Sequence, residues 1–137
     1  MSYLRCINHV NITISAGTEA LAAARQYYVG MLGMKQLPRP ANLDNGVEGI
    51  WLQVGAGPQQ VHISAEEVAD VRPWAMDSKR HPAFNVSDVH ALRKHMVDSG
   101  ANVMDAEEIV GNVRFFCRDP WGNRLEFMQP DEEVGAR

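Results

Sequence analysis

The sequence predicts an α+β fold in which one βαβββ module occurs twice. The main observation is an internal repeat: a shift of 64 positions places Val61-His62-Ile63 on Leu125-Glu126-Phe127, and a shift of 72 positions places His9 on His81. A second observation is that each half passes from strand-like alternation to helical spacing and back to alternation. The chain is expected to form a single domain, residues 1–137.

The first module is expected over about residues 4–64. Leu21, Ala24 and Tyr28 recur at helical spacing, and Gly33 is a suitable helix stop. Turn residues then separate two short alternating runs, as in a hairpin. In order, the predicted elements are a strand over 5–14, a helix over 17–33, a strand over 35–37 and a hairpin of 49–54 and 59–64.

The second module, about residues 81–129, repeats this order after a charged linker over 65–80. Ser87 can cap its helix, which carries Val89 and Met96 on one face. In order, the predicted elements are a strand over 81–86, a helix from Ser87 to Gly100, a strand over 102–104, a hairpin of 113–118 and 124–129, and a frayed tail over 131–137.

Four residues occupy repeat-equivalent positions on the polar faces of their strands. His9 and His62 oppose the apolar residues of the first and fourth strands, and His81 and Glu126 do so in the fifth and eighth. A single strand histidine is more often solvent-exposed or hydrogen-bonded. Three imidazoles and a carboxylate at matched positions, however, predict a divalent-metal site. The polar faces are then free to curve around a cavity, while the helices cover the apolar faces.

Further residues on these strands are candidates for contact with a substrate. Asn11 and Thr13 share the face of His9. Trp51 and Phe115 are repeat mates on the third and seventh strands. Such large aromatic residues either line the cavity or belong to the core, and the sequence leaves both interpretations open.

Composition excludes several functional classes. A net charge of −4 and a pI near 5.7 argue against nucleic acid or an anionic membrane as partner. No apolar run is long enough to span a bilayer, and the N-terminus lacks a signal-peptide pattern. Cys6 and Cys117 are too far apart in sequence for a zinc-thiolate motif. We therefore expect a cytoplasmic protein.

Four motifs, taken in order, identify a family. They are Asn8-His9-Val10, Tyr27-Tyr-Val-Gly-Met-Leu-Gly-Met34, His81-Pro-Ala-Phe-Asn-Val86 and Asp119-Pro-Trp-Gly-Asn-Arg-Leu-Glu126. Together they resemble the vicinal oxygen chelate superfamily, over residues 4–129. That superfamily includes glyoxalase I, methylmalonyl-CoA epimerase, fosfomycin-resistance enzymes, extradiol dioxygenases and bleomycin-binding proteins.

The resemblance implies two paired βαβββ modules with curved mixed sheets that enclose a metal-binding cavity, with helices on the outer faces. His9, His81 and Glu126 match three ligand positions of the superfamily. His62 matches a fourth position, which is Glu in glyoxalase I and an amide in the epimerase. The implied cofactor is one divalent ion per chain: Zn, Ni, Co, Mn or Fe(II). Thr13 replaces the Arg with which glyoxalase I holds glutathione, which argues against glyoxalase I activity itself.

The resemblance favours a metal-dependent lyase or isomerase acting on a small molecule with vicinal oxygens, through a metal-chelated enolate-type intermediate. Glu126 would bind the metal and also move a proton. The alternatives are an Fe(II)-dependent dioxygenase, and a small-molecule (antibiotic) binding or resistance protein without turnover. A homodimer is expected, because modules of this superfamily pair either within a chain or across a two-fold axis.

Overall fold

Each half of the chain forms a four-stranded mixed sheet with one helical segment. The computed structural model describes residue 3 and residues 5–43, 48–67 and 78–134. The chain divides into two compact units, Met1–Asp70 and Val71–Arg137. The predicted linker over 65–80 lies mostly outside the described residues, although the strand before it continues to Glu66.

In the first unit the strand order is β1-β4-β3-β2, with β1 parallel to β4 and the other neighbours antiparallel. The predicted first strand was too long: it begins at His9, opposite Gln60, the first residue of β4. The elements are β1 His9–Ser15, α1 Thr18–Ala24, a π-helical segment Arg25–Met31, β2 Lys35–Leu37, a 3-10 turn Ala41–Leu43, β3 Gly49–Gln53 and β4 Gln60–Glu66.

The second unit has the same topology, with strand order β5-β8-β7-β6 and β5 parallel to β8. The elements are β5 Ala83–Asn85, α2 Val89–Asp98, β6 Asn102–Asp105, β7 Asn112–Arg118, β8 Arg124–Pro130 and a 3-10 turn Asp131–Glu133. The predicted α+β fold of two βαβββ modules is therefore confirmed. Parallel pairing of the first and fourth strands places His9 near His62, and His81 near Glu126.

Two details of the second unit differ from prediction. The residue that caps α2 is Asp88, whose carboxylate accepts a hydrogen bond of 2.9 Å from the backbone N–H of Ala91, and not Ser87. An aspartate at this position satisfies one of the free N–H groups of the first helical turn. The tail is not frayed from its start, because Asp131–Glu133 forms a helical turn.

One face of each sheet is buried by the helix of its own unit. In the first unit α1 contacts β1, and in the second α2 contacts β6, β7 and β8. The buried apolar strand residues on this face are Ile12, Ile14, Ile50, Leu52, Val61 and Ile63 in the first unit, and Phe115, Cys117, Leu125 and Phe127 in the second. The opposite face of each sheet carries the polar residues. No helix within the described residues is long and apolar enough to cross a membrane.

Candidate functional site

In the first unit, His9 and His62 lie on the polar face of the sheet, and their rings are in contact. Asn11 is the register partner of His62, so His9 lies one alternation further along the same face. The rings of His9 and His62 stack with centroids 3.9 Å apart and planes 17° apart. Trp51, the cross-strand partner of His62, stacks on His62 at 4.1 Å and 6°. Trp51, His62 and His9 thus form an aromatic stack.

Hydrogen bonds define which ring nitrogens of the aromatic stack carry protons. His9 Nδ1 donates to the Asn8 side-chain oxygen at 2.9 Å, and His62 Nε2 donates to the Gln60 side-chain oxygen at 2.8 Å. Burial, and then the neighbouring His9, lower the pKa of His62, so its neutral form is favoured. The lone pairs that remain are on His9 Nε2 and His62 Nδ1.

The stacked arrangement limits what these two histidines can bind together. A metal ion lies in the plane of a coordinating imidazole, about 2.0–2.1 Å from its nitrogen. Two nearly parallel rings with centroids 3.9 Å apart cannot both hold one ion in their planes. In this arrangement the aromatic stack offers a metal one nitrogen at a time. His62, which is covered by Trp51 and His9, is the less accessible of the two rings.

In the second unit, His81 and Glu126 form a direct pair with a distance of 2.8 Å between Nε2 and Oε2. His81 Nδ1 lies 2.6 Å from the carbonyl oxygen of Lys79, which has no proton to give, so Nδ1 must donate. Nε2 therefore also needs a proton in order to face a carboxylate. The pair thus places a histidine nitrogen and a carboxylate oxygen within reach of one cation.

Arg114 holds the other oxygen of Glu126. One terminal nitrogen of Arg114 donates to Glu126 Oε1 at 2.8 Å, and Nε and the second terminal nitrogen donate to the carbonyl oxygen of Glu107. Glu126 is only 6% exposed. Burial alone would raise the pKa of Glu126, but the hydrogen bonds from Arg114 and His81 outweigh burial and lower it. Glu126 is therefore ionised at neutral pH.

Of the two interpretations left open for Phe115, the structure supports the core and not the cavity, so Phe115 is no longer a candidate for substrate contact. Phe115 pairs with Phe127 on the apolar face, is 1% exposed and packs on the Phe127 ring at 5.2 Å. The cross-strand partner of Glu126 is Phe116, whose ring meets that of His81 edge-on at 5.2 Å. The cause is the turn: residues 54–59 connect the first hairpin, but only 119–123 connect the second.

Because the second turn is one residue shorter, positions on β7 are shifted by one residue relative to the ungapped repeat, whereas positions on β8 are not. Trp51 therefore corresponds in position to Phe116, although the ungapped repeat places it on Phe115. Arg114 and Arg124 also lie on the face of Phe116, because alternate residues share a face and Arg124 is two residues before Glu126. Strand alternation counted back from Glu126 identifies Arg124, but Phe116 and Arg114 lie on β7, whose register depends on the length of the turn.

The two other strand residues predicted to contact a substrate lie on the face that strand alternation predicts. Asn11 and Thr13 are on the face of His9, and the Asn11 side-chain amide donates to the Ser64 hydroxyl at 2.8 Å. Within the described residues, no group of three or more His, Cys, Asp or Glu side chains is gathered around one point. The four predicted ligands thus form two pairs, one in each unit, and their assembly into one metal site stays a prediction.

Comparisons with known proteins agree with this architecture. Residues 7–127 match the family model described as the glyoxalase/bleomycin resistance protein/dioxygenase superfamily. A glyoxalase family protein from Bacillus anthracis is 32% identical, with a TM-score of 0.80 over 96% of this chain and 99% of that one. No protein of curated function matches the chain.

Two more distant structures share the fold. A lactoylglutathione lyase from Agrobacterium tumefaciens is 15% identical, with a TM-score of 0.67 over 93% of this chain and 96% of that one. The antibiotic binding protein TnmS3 from Streptomyces sp. CB03234 is 13% identical, with a TM-score of 0.67 over 96% of this chain and 100% of that one. Proteins of this fold thus differ widely in function, so the function must be inferred from the residues of the site.

Proposed function

Because the chain belongs to the glyoxalase/bleomycin resistance protein/dioxygenase superfamily, we propose that it is a metal-dependent lyase or isomerase acting on a small molecule with vicinal oxygens. The observation that carries the proposal is the pair of His81 and Glu126. Lyases occur on this fold, as the lactoylglutathione lyase of Agrobacterium tumefaciens illustrates. The substitution of Thr13 for a glutathione-holding Arg favours a substrate other than a glutathione adduct.

The donor atoms of the second unit fit a divalent ion. Two donors on neighbouring vertices of a coordination shell, each about 2.1 Å from the ion, lie roughly 3 Å apart. His81 Nε2 and Glu126 Oε2 are 2.8 Å apart. The Lys79 carbonyl fixes the His81 ring so that Nε2 is the coordinating atom, which is the usual arrangement behind a metal-binding histidine.

We assign His81, Glu126 and His9 as the ligands and treat His62 as support for His9. His9 keeps its Nε2 lone pair, whereas the ring of His62 is covered on both sides in the aromatic stack. The chemistry supplied by a divalent ion in such a site is stabilisation of the negative charge that develops on two substrate oxygens. The ion would be Zn, Ni, Co, Mn or Fe(II), since ligands of this type accept each of them.

The surrounding residues have separate roles in this proposal. Arg114 keeps Oε1 of Glu126 in place, so that Oε2 faces His81. Glu126 is ionised at neutral pH, as both metal binding and proton acceptance from the substrate require. Asn11 and Thr13, on the face of His9, would bind the substrate.

Activity on a panel of compounds tests the proposal. The panel contains α-hydroxy carbonyls, 2-oxoaldehyde–thiol adducts, acyl-CoA thioesters and catechols, assayed with and without air. We expect oxygen-independent turnover of one of the first three classes, and a decrease in kcat of about 10²–10⁴-fold in Glu126→Gln. Glu108→Gln, which removes an exposed carboxylate, is the control. Activity on catechols alone that requires oxygen would instead identify a dioxygenase, and binding without turnover would identify a binding protein.

A further inference from the structure

The polar face of the second unit is positively charged, although the chain as a whole carries a net charge of −4. By register, this face includes three arginines, Arg114, Arg118 and Arg124, and a single carboxylate, that of Glu126. By contrast, β1, β3 and β4 place no arginine or lysine on the polar face of the first unit, and besides the histidines the charged side chain that they place there is Glu66, at the end of β4. A face with excess positive charge attracts anions.

The three arginines differ in the hydrogen-bond acceptors that the protein supplies to their side chains. All three side-chain nitrogens of Arg114 donate to Glu126 or to the Glu107 carbonyl. Arg118 is 7% exposed and donates to the Gly122 carbonyl. A buried Nε without a hydrogen-bond partner among the described residues occurs in both Arg118 and Arg124. Arg124 differs because, among the described residues, its side chain donates no hydrogen bond to the protein, whereas another nitrogen of Arg118 donates to Gly122. A buried donor without an acceptor is uncommon and calls for an explanation.

Phe116 orients the guanidinium of Arg124. The central carbon of that guanidinium lies 3.9 Å from the centre of the Phe116 ring, within the range of a cation–π contact. The same ring meets His81 edge-on, and His81 bonds to Glu126. Arg124 therefore lies two residues before Glu126 on the same face of β8. The Phe116 ring that packs on it also contacts His81, a proposed metal ligand.

From this arrangement we propose that Arg124, oriented by Phe116, binds an anionic group of the substrate, either a carboxylate or a phosphate-type oxyanion. The fork of a guanidinium matches both groups through paired hydrogen bonds. The identification of the bound anion as a substrate rests on the proposed function. Together they restrict the substrate to an anionic molecule with vicinal oxygens. The anion-binding step itself needs no metal, so it can be measured separately.

The test is calorimetric titration of chelator-treated, metal-free protein at low ionic strength, with inorganic phosphate and, separately, with acetate. We expect the wild type to bind one of the two anions, and Arg124→Gln to weaken that binding by about tenfold or more. Arg124→Lys, which keeps the charge but not the fork, should fall between them. Arg93→Gln is the matched control, because it removes one positive charge from an exposed ion pair with Asp105 in the same unit.

The results separate the alternatives. Tighter binding of phosphate assigns a phosphate-type group, and tighter binding of acetate assigns a carboxylate. The inference is overturned if the wild type binds neither anion, or if Arg93→Gln weakens binding as much as Arg124→Gln while both variants keep the wild-type melting temperature. Metal content is measured in the same samples after reloading. Loss of anion binding in Arg124→Gln by a protein that takes up no metal would retain this inference and reject the proposed function.

Discussion

At the scale of single residues, the proposed metal binding depends on which cation lies between His81 and Glu126. The Lys79 carbonyl fixes the proton on Nδ1, so a second proton on Nε2 is required for the 2.8 Å contact with Glu126. A metal ion at that position would replace this proton. Binding should therefore be linked to proton release, as it is for metal sites in which a ligand must be deprotonated.

Zinc binding measured by calorimetry at pH 7 tests this linkage. We expect protons to be released when the ion binds, because coordination through Nε2 of His81 displaces the proton that faces Glu126. Titrations in two buffers with different ionisation enthalpies measure the released protons from the difference in heat. If zinc binds with equal heats in both buffers, no proton is released, and the metal does not displace a proton from between His81 and Glu126.

A second prediction at this scale concerns the stability contributed by Glu126. Its pKa is lower in the folded protein than the ordinary value of 4.5, so the unfolded state binds more protons in that range. The contribution is fully present above about pH 4.5 and is lost as the pH falls through the lower folded value. Urea unfolding of the wild type and Glu126→Gln should thus give a stability difference that shrinks on acidification below pH 4.5. Glu108→Gln is again the control, and a difference that grows would contradict the assignment.

At the scale of elements, the order of strands and helices and their repeat could be predicted from periodicity. The parallel pairing of β1 with β4, and of β5 with β8, then places His9 beside His62 and His81 beside Glu126. The register of β7 could not be predicted, because the two turns contain similar residues and differ in length by one. Alternation alone also could not predict that Arg114 bonds to Glu126, since that contact depends on the direction of a long side chain.

The register of β7 can be tested with two matched substitutions on neighbouring residues. Phe115→Leu and Phe116→Leu should each lower the free energy of unfolding, by about 0.5–3 kcal/mol, since both rings are buried. Only Phe116→Leu should also weaken the binding of zinc and of anions, because Phe116 contacts His81 and Arg124. Calorimetric titrations of folded samples measure this. Equal effects of both substitutions on binding would contradict the observed register.

At the scale of the whole molecule, the four predicted ligands are divided between two units of the same topology. Neither pair completes a metal site, because a site of this kind takes at least three protein ligands. The proposed function would therefore require residues of a first unit together with residues of a second, either in one chain or across a homodimer. We favour the homodimer, in which His9 of one chain would join His81 and Glu126 of its partner.

Mixing two inactive variants distinguishes these arrangements. His9→Ala and Glu126→Gln each remove one ligand, from different units. If sites are shared, co-refolded mixtures contain heterodimers in which one of the two sites has both residues intact, and part of the zinc binding returns. No recovery is expected if each chain builds its own site. Light scattering at micromolar concentration that shows only monomers would exclude the shared site.

The measurement that tests the metal site most directly is metal content after dialysis against equimolar divalent metal. We expect one ion per wild-type chain, loss of most of it in Glu126→Ala and in His81→Ala, and a smaller loss in His62→Ala. The smaller loss follows from the position of His62 between Trp51 and His9, where it supports a ligand without being one. Full occupancy in Glu126→Ala would contradict the proposed site.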